Sequence, residues 1–393
     1  MLIYTWIDNS EQGSEEMIPQ QSVVINEGGK DSLKTEELAK DGGANGLKLI
    51  FHPYWCDNPY QKLLAEHLIK LGVQWKEKTL NNSLRGDLPD ILHLHWLHEN
   101  FIETNRKDAT INTLKFIRRL VILRLVGVKI VWTAHNLKDH DNRYPLLDRI
   151  CTTLVVRLAH AIIAHSDLAK SEVASNFNLQ NRDKIFVIPH GNYIDFYENK
   201  IERTQARSIL GVPDSSICLL FLGSIRPYKG LPELLNAFKQ LHSDEVQLII
   251  AGKPSKAIET ERIREETSVY NNIKFIPNFI PDHQIQVYMN ACDAVVFPYK
   301  DILTSGGLLL AMSFGRACIA PRKGCFEEIL DNSGAFLYDP DIQAGLAQAI
   351  KGAIQQKAHL LDMGEHNRQL AEQCNWSRLA EMTIKVYQQC LSR

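Results

Sequence analysis

Two cations follow a predicted buried strand near the middle of the chain. The apolar run over residues 218–222 predicts the strand, which Gly223 ends. Arg226 and Lys229 lie in the short loop after it, and a helix is expected from Pro232. Arginine offers a planar fork of donors, lysine adds a point charge, and helix N-termini attract anions. The loop therefore predicts a phosphate or diphosphate site, with a solvated surface loop as the alternative.

A second loop, made of small residues, follows another predicted strand. Residues 293–299 indicate that strand, and a helix is expected over residues 308–314. The loop between them ends in Thr304, Ser305, Gly306 and Gly307. Small residues allow a ligand close to the backbone, and N–H groups at a helix start bind phosphate oxygens. An ordinary N-cap with a glycine-rich turn is the alternative. Because ligands bind at the carboxyl ends of strands in open parallel sheets, the two loops together predict one site.

The segments around these loops resemble motifs of the GT-B glycosyltransferases, in particular the large family 4 group. Residues 223–230 are similar to that family's Gly-Arg-x-x-x-x-Lys-Gly donor-diphosphate motif, and residues 311–320 to its AMA-x-G-x-P-V-I-A segment. Residues 249–253 look like its next strand and turn, and residues 279–293 like its base-proximal loop and following helix. The resemblance covers roughly residues 47–390. It implies an α/β fold of two doubly wound Rossmann-like domains that face each other across a cleft.

The alternation of predicted strands and helices along the sequence indicates the same architecture independently of the resemblance. In the first half, strands are expected at residues 47–51, 91–94, 129–133, 161–164 and 185–188, and helices near residues 60–71, 113–125 and 146–159. Continuous apolar strands of this kind predict a parallel, doubly wound sheet.

Four segments are predicted along the chain. Residues 1–46 form a polar, glycine-punctuated N-terminal extension, and residues 47–190 an acceptor-side domain. Residues 191–375 form the donor-binding domain. Residues 376–393 form a C-terminal helix that packs back on the first domain, as the resemblance implies.

The resemblance implies a glycosyltransferase, specifically a hexosyltransferase, that moves a sugar from a UDP- or GDP-sugar to a hydroxyl of a glycan or lipid-linked acceptor. It also implies retention of anomeric configuration and a setting in polysaccharide or glycolipid assembly. Arg226 and Lys229 would hold the diphosphate and act as catalytic groups, since they stabilise the departing nucleoside diphosphate. The other donor-binding positions are Ser224, Phe279, Ile280, Asp301, Thr304, Ser305, Gly306 and Gly307.

The chain departs from the family pattern at both loops. The family carries two glutamates eight residues apart around the second loop, where this chain has Ile302 and Leu310. The second glutamate normally holds the donor ribose, so Asp301, one residue out of register, is the candidate replacement. Ser224 stands where an arginine usually follows the first glycine. These departures keep open a non-catalytic subunit that binds sugar nucleotides. Another GT-B reaction, such as that of a sugar-nucleotide epimerase or a phosphorylase, is a further alternative.

The loops of the first half supply the candidate acceptor residues. Asn58 and Tyr60 lie in the aromatic loop after the first strand, where aromatic faces can cup a sugar ring. His93 and His95 alternate along the next long strand, so one is expected on each side of the sheet. His95 and Trp96 would then line the cleft, and His93 would be structural.

His135 is the candidate catalytic residue of this half. It stands with Asn136 at the carboxyl end of the strand over residues 129–133. The resembled family often has a histidine here, in contact with the transferred sugar. A neutral imidazole accepts from a sugar hydroxyl or steadies charge near the anomeric carbon. A histidine that caps the next helix is the alternative, and His190 is interpreted as a linker residue.

Asp139 and Asp141 form an Asp-x-Asp pattern, which metal-dependent glycosyltransferases of another fold use to hold a divalent ion. The pattern lies in the half that is not expected to hold the diphosphate. We therefore predict no required metal and no other cofactor, with the sugar nucleotide as substrate.

The composition predicts a two-domain cytoplasmic enzyme. Its 393 residues exceed one ordinary core, and a formal net charge of -2 does not indicate nucleic-acid binding. No signal peptide is recognisable, and Cys218, Cys292 and Cys318 lie in apolar runs where buried thiols are expected. The basic helix over residues 113–125 suits peripheral contact with the anionic inner face of a membrane. Plain amphipathic packing is the alternative.

Overall fold

The computed structural model describes residues 46–77, 80, 87–100, 105–139, 143–241, 243, 245–255 and 257–393. The predicted N-terminal extension lies outside the described residues, apart from Gly46. Asp141 of the Asp-x-Asp pattern lies outside them as well.

Six strands form the first sheet: β1 Lys48–His52, β2 Gln74–Trp75, β3 Ile91–Leu94, β4 Lys129–Thr133, β5 Ala161–Ala164 and β6 Ile185–Val187. They pair in parallel in the order β2-β1-β3-β4-β5-β6. The helices of this half are α1 Pro59–Lys70, α2 Arg106–Leu125, α3 Pro145–Leu158 and α4 Asp167–Asn176.

Six further strands form the second sheet: β7 Ile217–Leu222, β8 Val246–Ala251, β9 Ile273–Ile276, β10 Ala294–Val296, β11 Ala317–Pro321 and β12 Ala335–Tyr338. They pair in parallel in the order β12-β11-β10-β7-β8-β9. The helices around them are α5 Arg203–Leu210, α6 Leu231–Lys239, α7 Ala257–Ser268, α8 Asp282–Ala291, α9 Gly306–Ser313, α10 Cys325–Ile329, α11 Gly345–Gln355 and α12 Leu360–Glu372. The chain ends with α13 Trp376–Leu391.

The predicted α/β class, with two doubly wound parallel sheets, is confirmed. Strands β3, β4 and β5 begin and end at the predicted residues. The short edge strand β2 and helices α4 and α5 are not predicted, and α2 begins seven residues before its predicted start, at Arg106 rather than residue 113. The three cysteines expected in apolar strands and helices are buried.

The last helix belongs to the core of the first half. Trp376 and Tyr387 of α13 are buried with Leu49 and Val131 of the first sheet. The indole N–H of Trp376 also donates to the carbonyl oxygen of Asn192, at 2.7 Å, where the chain crosses between the sheets. Because α13 follows the whole second half in sequence, it joins the two halves by returning to the first.

Each sheet has one point where the strand order reverses. In the first sheet, β2 and β3 lie on opposite sides of β1; in the second sheet, β8 and β10 lie on opposite sides of β7. Ligands of open α/β sheets bind in the crevice at such points, beyond the carboxyl ends of the strands. The loops after β1, β3, β7 and β10 are those that carry most of the predicted site residues.

Polar contacts between described residues connect the halves. Lys138 and Asp301 form an ion pair at 2.6 Å. The carboxylate of Glu328 accepts hydrogen bonds from the N–H groups of Asp167 and Leu168, at 2.7 and 3.0 Å, and so caps α4 from the opposite domain. Within the described part of the chain, no helix is both long and apolar enough to cross a membrane.

Candidate active site

The loop after β7 is shaped by two glycines. Gly223 and Gly230 adopt positive φ angles of 122° and 67°, where residues with a Cβ are strained. A Cβ on Gly230 would also collide with the carbonyl oxygen of Pro298 in the neighbouring loop. Between the glycines, Arg226 precedes a single 3-10 turn over Pro227–Lys229. The backbone therefore fixes both predicted diphosphate ligands near the carboxyl end of a central strand.

Lys229 lies in surroundings that disfavour its charge. A cation–π contact with the Tyr299 ring, whose centroid is 5.3 Å from Nζ, favours the charge but does not outweigh burial. Burial, and then the positive charge of Arg226, lower the pKa of Lys229 from 10.5 to about 8. An anion held between the two cations would oppose both effects, so the pair is arranged to gain from a bound diphosphate.

The loop after β10 lies directly against the loop after β7. The N–H of Lys300 donates to the carbonyl oxygen of Tyr228 at 2.8 Å, which joins the two loops. Ser305 is the N-cap of α9, and its Oγ accepts the N–H three residues further on, at 3.1 Å. The N–H groups of Gly306 and Gly307 have no acceptor within the helix because they precede its first full turn. They are the donors that a phosphate would meet here.

Five buried histidines form what we call the imidazole cluster: His93, His95, His135, His165 and His190. Neighbouring rings in it are close, with centroids 5.4 Å apart for His95 and His135, and 5.3 Å for His165 and His190. Burial lowers the pKa of all five, to about 3 for His93 and His165 and to about 4 for His190. All five rings are therefore neutral at pH 7 and can donate or accept hydrogen bonds.

The prediction that His93 and His95 face opposite sides of the sheet is wrong. Their rings stack with centroids 4.4 Å apart. Residues two apart along a strand point to the same side, so the period of two places them together. His93 is hydrogen-bonded to Tyr387 Oη and Thr133 Oγ1, both at 2.7 Å. These bonds fit the expectation that His93 is structural. His95 contacts His135 through nitrogens 3.2 Å apart.

Aromatic rings surround His135. Trp96 lies between Trp55 and His135, with centroids 4.6 and 4.1 Å away. Tyr60 packs edge-on against His135, at 4.8 Å. Asn58 is the N-cap of α1, where its Oδ1 accepts a backbone N–H at 3.2 Å. Its amide oxygen is thus used by the helix, and its amide N–H₂ remains a possible donor.

A cavity of about 200 Å³ lies between the two halves, beside these rings. It brings together seven predicted site residues: Asn58, Tyr60, Trp96, His135, Asn136, Thr304 and Gly306. Pro59, His190 and Tyr193 complete its lining. A larger cavity of about 440 Å³ lies beside β12 and α11 and contains none of the predicted site residues.

The remaining predicted residues lie outside the lining of the 200 Å³ cavity: Ser224, Arg226, Lys229, Phe279, Ile280, His95, Asp301, Ser305 and Gly307. Phe279 is 70% exposed and Ile280 is buried. Asp301, the candidate replacement for the ribose-binding glutamate, is paired with Lys138 of the first half. The side chain of Asn136 donates to the carbonyl oxygen of the same lysine, at 2.6 Å.

The positions of the two family glutamates hold apolar side chains that pack into the second half. Ile302 is buried, and its carbonyl oxygen lies where a Cβ of Gly324 would stand. Leu310, in α9, is partly buried and packs against the core of the second half. Asp139, the described residue of the Asp-x-Asp pattern, is buried and receives a backbone hydrogen bond from Arg143, at 3.4 Å.

Three residues near the site were not predicted as ligands. His165 directly follows β5, the same sequence signal that selects His135 after β4. His190 and Tyr193 lie in the segment that crosses between the sheets, which sequence reasoning interprets as a linker. No sequence pattern marks that segment as part of a cavity, because its position depends on how the two halves meet.

Comparisons with known proteins agree with this architecture. Residues 202–370 match the family model described as "Glycosyl transferases group 1". A "GDP-mannose:glycolipid 4-beta-D-mannosyltransferase" from Xanthomonas campestris pv. campestris is 27% identical over 346 residues, which are 86% of this chain and 89% of that protein. Many solved structures share the fold, and two of them serve as examples. Sucrose-phosphate synthase from Thermosynechococcus elongatus has a TM-score of 0.67 at 16% identity, over 88% of this chain and 99% of that one.

The second structure is Anabaena HepE in complex with UDP-glucose, with a TM-score of 0.64 at 18% identity over 87% of this chain and 91% of that one. These likenesses extend over both sheets, whereas the group 1 match lies in the second half. The predicted fold and enzyme class are confirmed: the chain has the GT-B fold and is a glycosyltransferase, and its residues 202–370 match group 1.

Proposed function

We propose that this glycosyltransferase moves mannose from GDP-mannose to a hydroxyl group of a lipid-linked glycan. The observation that carries the proposal is the extent of the likeness to the Xanthomonas mannosyltransferase, whose name specifies GDP-mannose and a glycolipid. That likeness includes both halves of the chain, and so includes the acceptor side as well as the donor side. A UDP-sugar is the alternative donor, which the UDP-glucose complex of the structural relative HepE favours.

The donor diphosphate would bind between the loops after β7 and β10. Arg226 and Lys229 supply two positive charges, and the N–H groups at the start of α9 supply dipoles. Negative charge develops on the diphosphate as the bond from the anomeric carbon to its oxygen breaks. Groups aimed at that charge lower the barrier most, which makes leaving-group stabilisation the main catalytic contribution. We propose that this replaces a metal, so activity persists in the presence of EDTA.

The acceptor would approach from the first half, past Trp96 and His135. Its hydroxyl oxygen forms the new bond to the anomeric carbon and gives up a proton. His135 is neutral at pH 7, so it can accept a hydrogen bond from a sugar hydroxyl or take up that proton. The stacked indole of Trp96 offers an apolar face to a sugar ring.

Stereochemistry has two opposing indications. The family resemblance implies retention at the anomeric carbon. The Xanthomonas relative is named for a β-linked product, which an α-linked donor would give only by inversion. We keep retention as the prediction to be tested. The anomeric configuration of the isolated product, read from its one-bond carbon–proton coupling by NMR, decides between them.

The solvent-facing side of α2 is a candidate membrane surface. Ile111, Leu114, Val121, Ile122 and Leu125 are all exposed there, and Leu125 is 80% exposed. Their spacing of three, four and seven residues places them on one side of the helix. Lys115 and Arg118 are exposed on the same side. Apolar side chains among cations suit the surface of an anionic bilayer, where a lipid-linked acceptor lies.

The donor experiment measures binding of GDP-mannose, UDP-glucose and ADP-glucose, and release of nucleotide with and without a lipid-linked acceptor. We expect GDP-mannose to bind, acceptor to increase GDP release, and R226A and K229A each to reduce affinity at least tenfold. Lys351 is exposed on α11, away from both loops, so K351A is the control. Binding without acceptor-dependent release over a broad acceptor panel would favour a non-catalytic subunit. No binding of any sugar nucleotide would reject the diphosphate site.

The membrane experiment measures co-sedimentation with vesicles of phosphatidylcholine alone or with phosphatidylglycerol. The expected result is binding to the anionic vesicles only. The variant L114S/L125S should weaken it by removing buried apolar area, and R118E by reversing a charge worth about 1 kcal/mol at such a surface. Equal binding by these variants and the wild type would exclude α2 as the contact.

A further inference from the structure

His190 has a fixed tautomer. Its Nδ1 lies 2.8 Å from the carbonyl oxygen of Gly191. A carbonyl oxygen only accepts, so Nδ1 carries the ring proton. Burial lowers the pKa of His190 to about 4, so the ring is neutral at pH 7 and Nε2 has a lone pair. Nε2 is therefore an obligatory acceptor.

That acceptor faces the cavity between the two halves. His190 and Tyr193 both line the cavity, although each side chain is only 7% exposed. A Cβ on Gly306 would lie 3.6 Å from His190 Nε2 and 3.1 Å from Tyr193 Oη, so both polar atoms stand beside the bare Cα of the first residue of α9. Among the described residues, none forms a hydrogen bond with either atom. Both residues line the cavity, so a hydroxyl group of a ligand there can supply the partner of each atom.

We propose that His190 Nε2 and Tyr193 Oη bind one hydroxyl group of the transferred sugar. The sugar O–H donates to His190, and its oxygen accepts from Tyr193. This inference rests on the proposed function and adds a specificity-determining pair from the segment between the sheets. Gly306 keeps the space open, because a side chain there would fill the position of the hydroxyl.

Two substitutions of His190 separate its two nitrogens. The amide nitrogen of H190N can replace Nδ1 as donor to Gly191 but leaves no acceptor at the position of Nε2. The amide oxygen of H190Q can reach the position of Nε2 but loses the bond to Gly191. Y193F removes only the hydroxyl. Affinities for GDP-mannose and for GDP are measured by calorimetry without acceptor, which excludes a contribution from the acceptor sugar.

We expect H190N to keep the melting temperature and the GDP affinity of the wild type, and to bind GDP-mannose about tenfold more weakly. H190Q should recover part of that loss, and Y193F should lose a similar factor. Equal GDP-mannose affinity in H190N and the wild type would overturn the inference while leaving the proposed function intact. Failure of the wild type to bind GDP-mannose, with or without GDP binding, would reject the donor proposal and the subsite with it.

Deoxygenated donors identify the hydroxyl. GDP-mannose analogues that lack the hydroxyl at C2, C3, C4 or C6 are each measured with the wild type and with H190N. For one analogue, the loss should be about tenfold smaller in H190N than in the wild type, because only the bond to Tyr193 remains to be lost, and H190N/Y193F should lose nothing further. Additive losses for all four analogues would show that His190 contacts no sugar hydroxyl.

Discussion

Replacement of Lys229 by methionine should stabilise the protein and abolish diphosphate binding. In the folded chain, burial and Arg226 lower the pKa of this lysine from 10.5 to about 8. The shift corresponds to about 3 kcal/mol of folding free energy lost at neutral pH, at 1.36 kcal/mol per pH unit. Because the side chain is half-buried and methionine keeps most of its apolar stem, we expect K229M to gain about 1–3 kcal/mol. That gain should raise the melting temperature by several degrees.

The pH dependence of the effect has a definite sign. The folded-state pKa lies below the unfolded value, so the cost is fully present below pH 8. It is relieved as the pH rises from 8 to 10.5, because the unfolded chain then binds more protons than the folded one. The wild type should gain stability relative to K229M over this range. The difference between the two should be largest at pH 7.

Diphosphate binding should restore the charge of Lys229. At pH 8.5, about three quarters of the molecules carry a neutral Lys229 when no ligand is bound, given a pKa of about 8. An adjacent diphosphate favours the charged form, so GDP binding should take up about 0.7 proton. Calorimetry in buffers of different ionisation enthalpy measures this uptake. K229R, which stays charged, should bind GDP without it.

Thermal unfolding and calorimetry together test this reasoning. K351M, at an exposed lysine, is the control and should change neither quantity. A lower melting temperature for K229M than for the wild type at pH 7 would refute the energetic cost. Proton uptake of the same size in K229R would show that another group titrates.

Three further results are expected. E328Q leaves one acceptor oxygen for the two N–H groups at the start of α4. It should therefore lower the unfolding free energy by about 1 kcal/mol. It should also increase the distance between the domains measured by fluorescence energy transfer. The unfolding free energy should fall by about 2 kcal/mol from pH 6.5 to pH 5 for each histidine of the imidazole cluster whose pKa is about 3 or 4. The cause is that the unfolded chain takes up protons before the folded chain does. Acid titration followed by circular dichroism measures this fall. G230A should cost at least about 2 kcal/mol and weaken GDP binding, because its Cβ collides with Pro298; unchanged melting and GDP affinity would contradict the account of that loop.

The sequence predicted the loops of the site better than their mutual arrangement. A loop at the carboxyl end of a buried strand is a local feature, so apolar runs and glycines locate the loops after β7 and β10. Contacts between distant residues leave no such signal. The bond of His93 to Tyr387 joins residues 294 apart, and no spacing in the chain indicates it.

The errors have physical reasons too. The prediction places His93 and His95 on opposite sides of the sheet, whereas a strand's period of two puts them on one side. Helix α4 is not predicted because its sequence has little apolar periodicity. In addition, the N–H groups of its first turn are capped by Glu328 from the other half. Propensity alone does not reveal an element that a distant carboxylate stabilises.

The composition of the cavity limits how the reaction can proceed. None of its ten lining residues is an aspartate or a glutamate, and Ile302 and Leu310 stand where the family has its glutamates. A carboxylate nucleophile or base would therefore have to come from outside this lining. Neutral imidazoles are weak bases when burial lowers their pKa so far, so proton removal from the acceptor contributes little before the bond to the donor breaks. If Arg226 and Lys229 hold the donor as proposed, most of the rate must then come from their stabilisation of charge on the departing diphosphate. In the R226A and K229A variants, the rate of transfer should therefore rise with the acidity of the donor's leaving group.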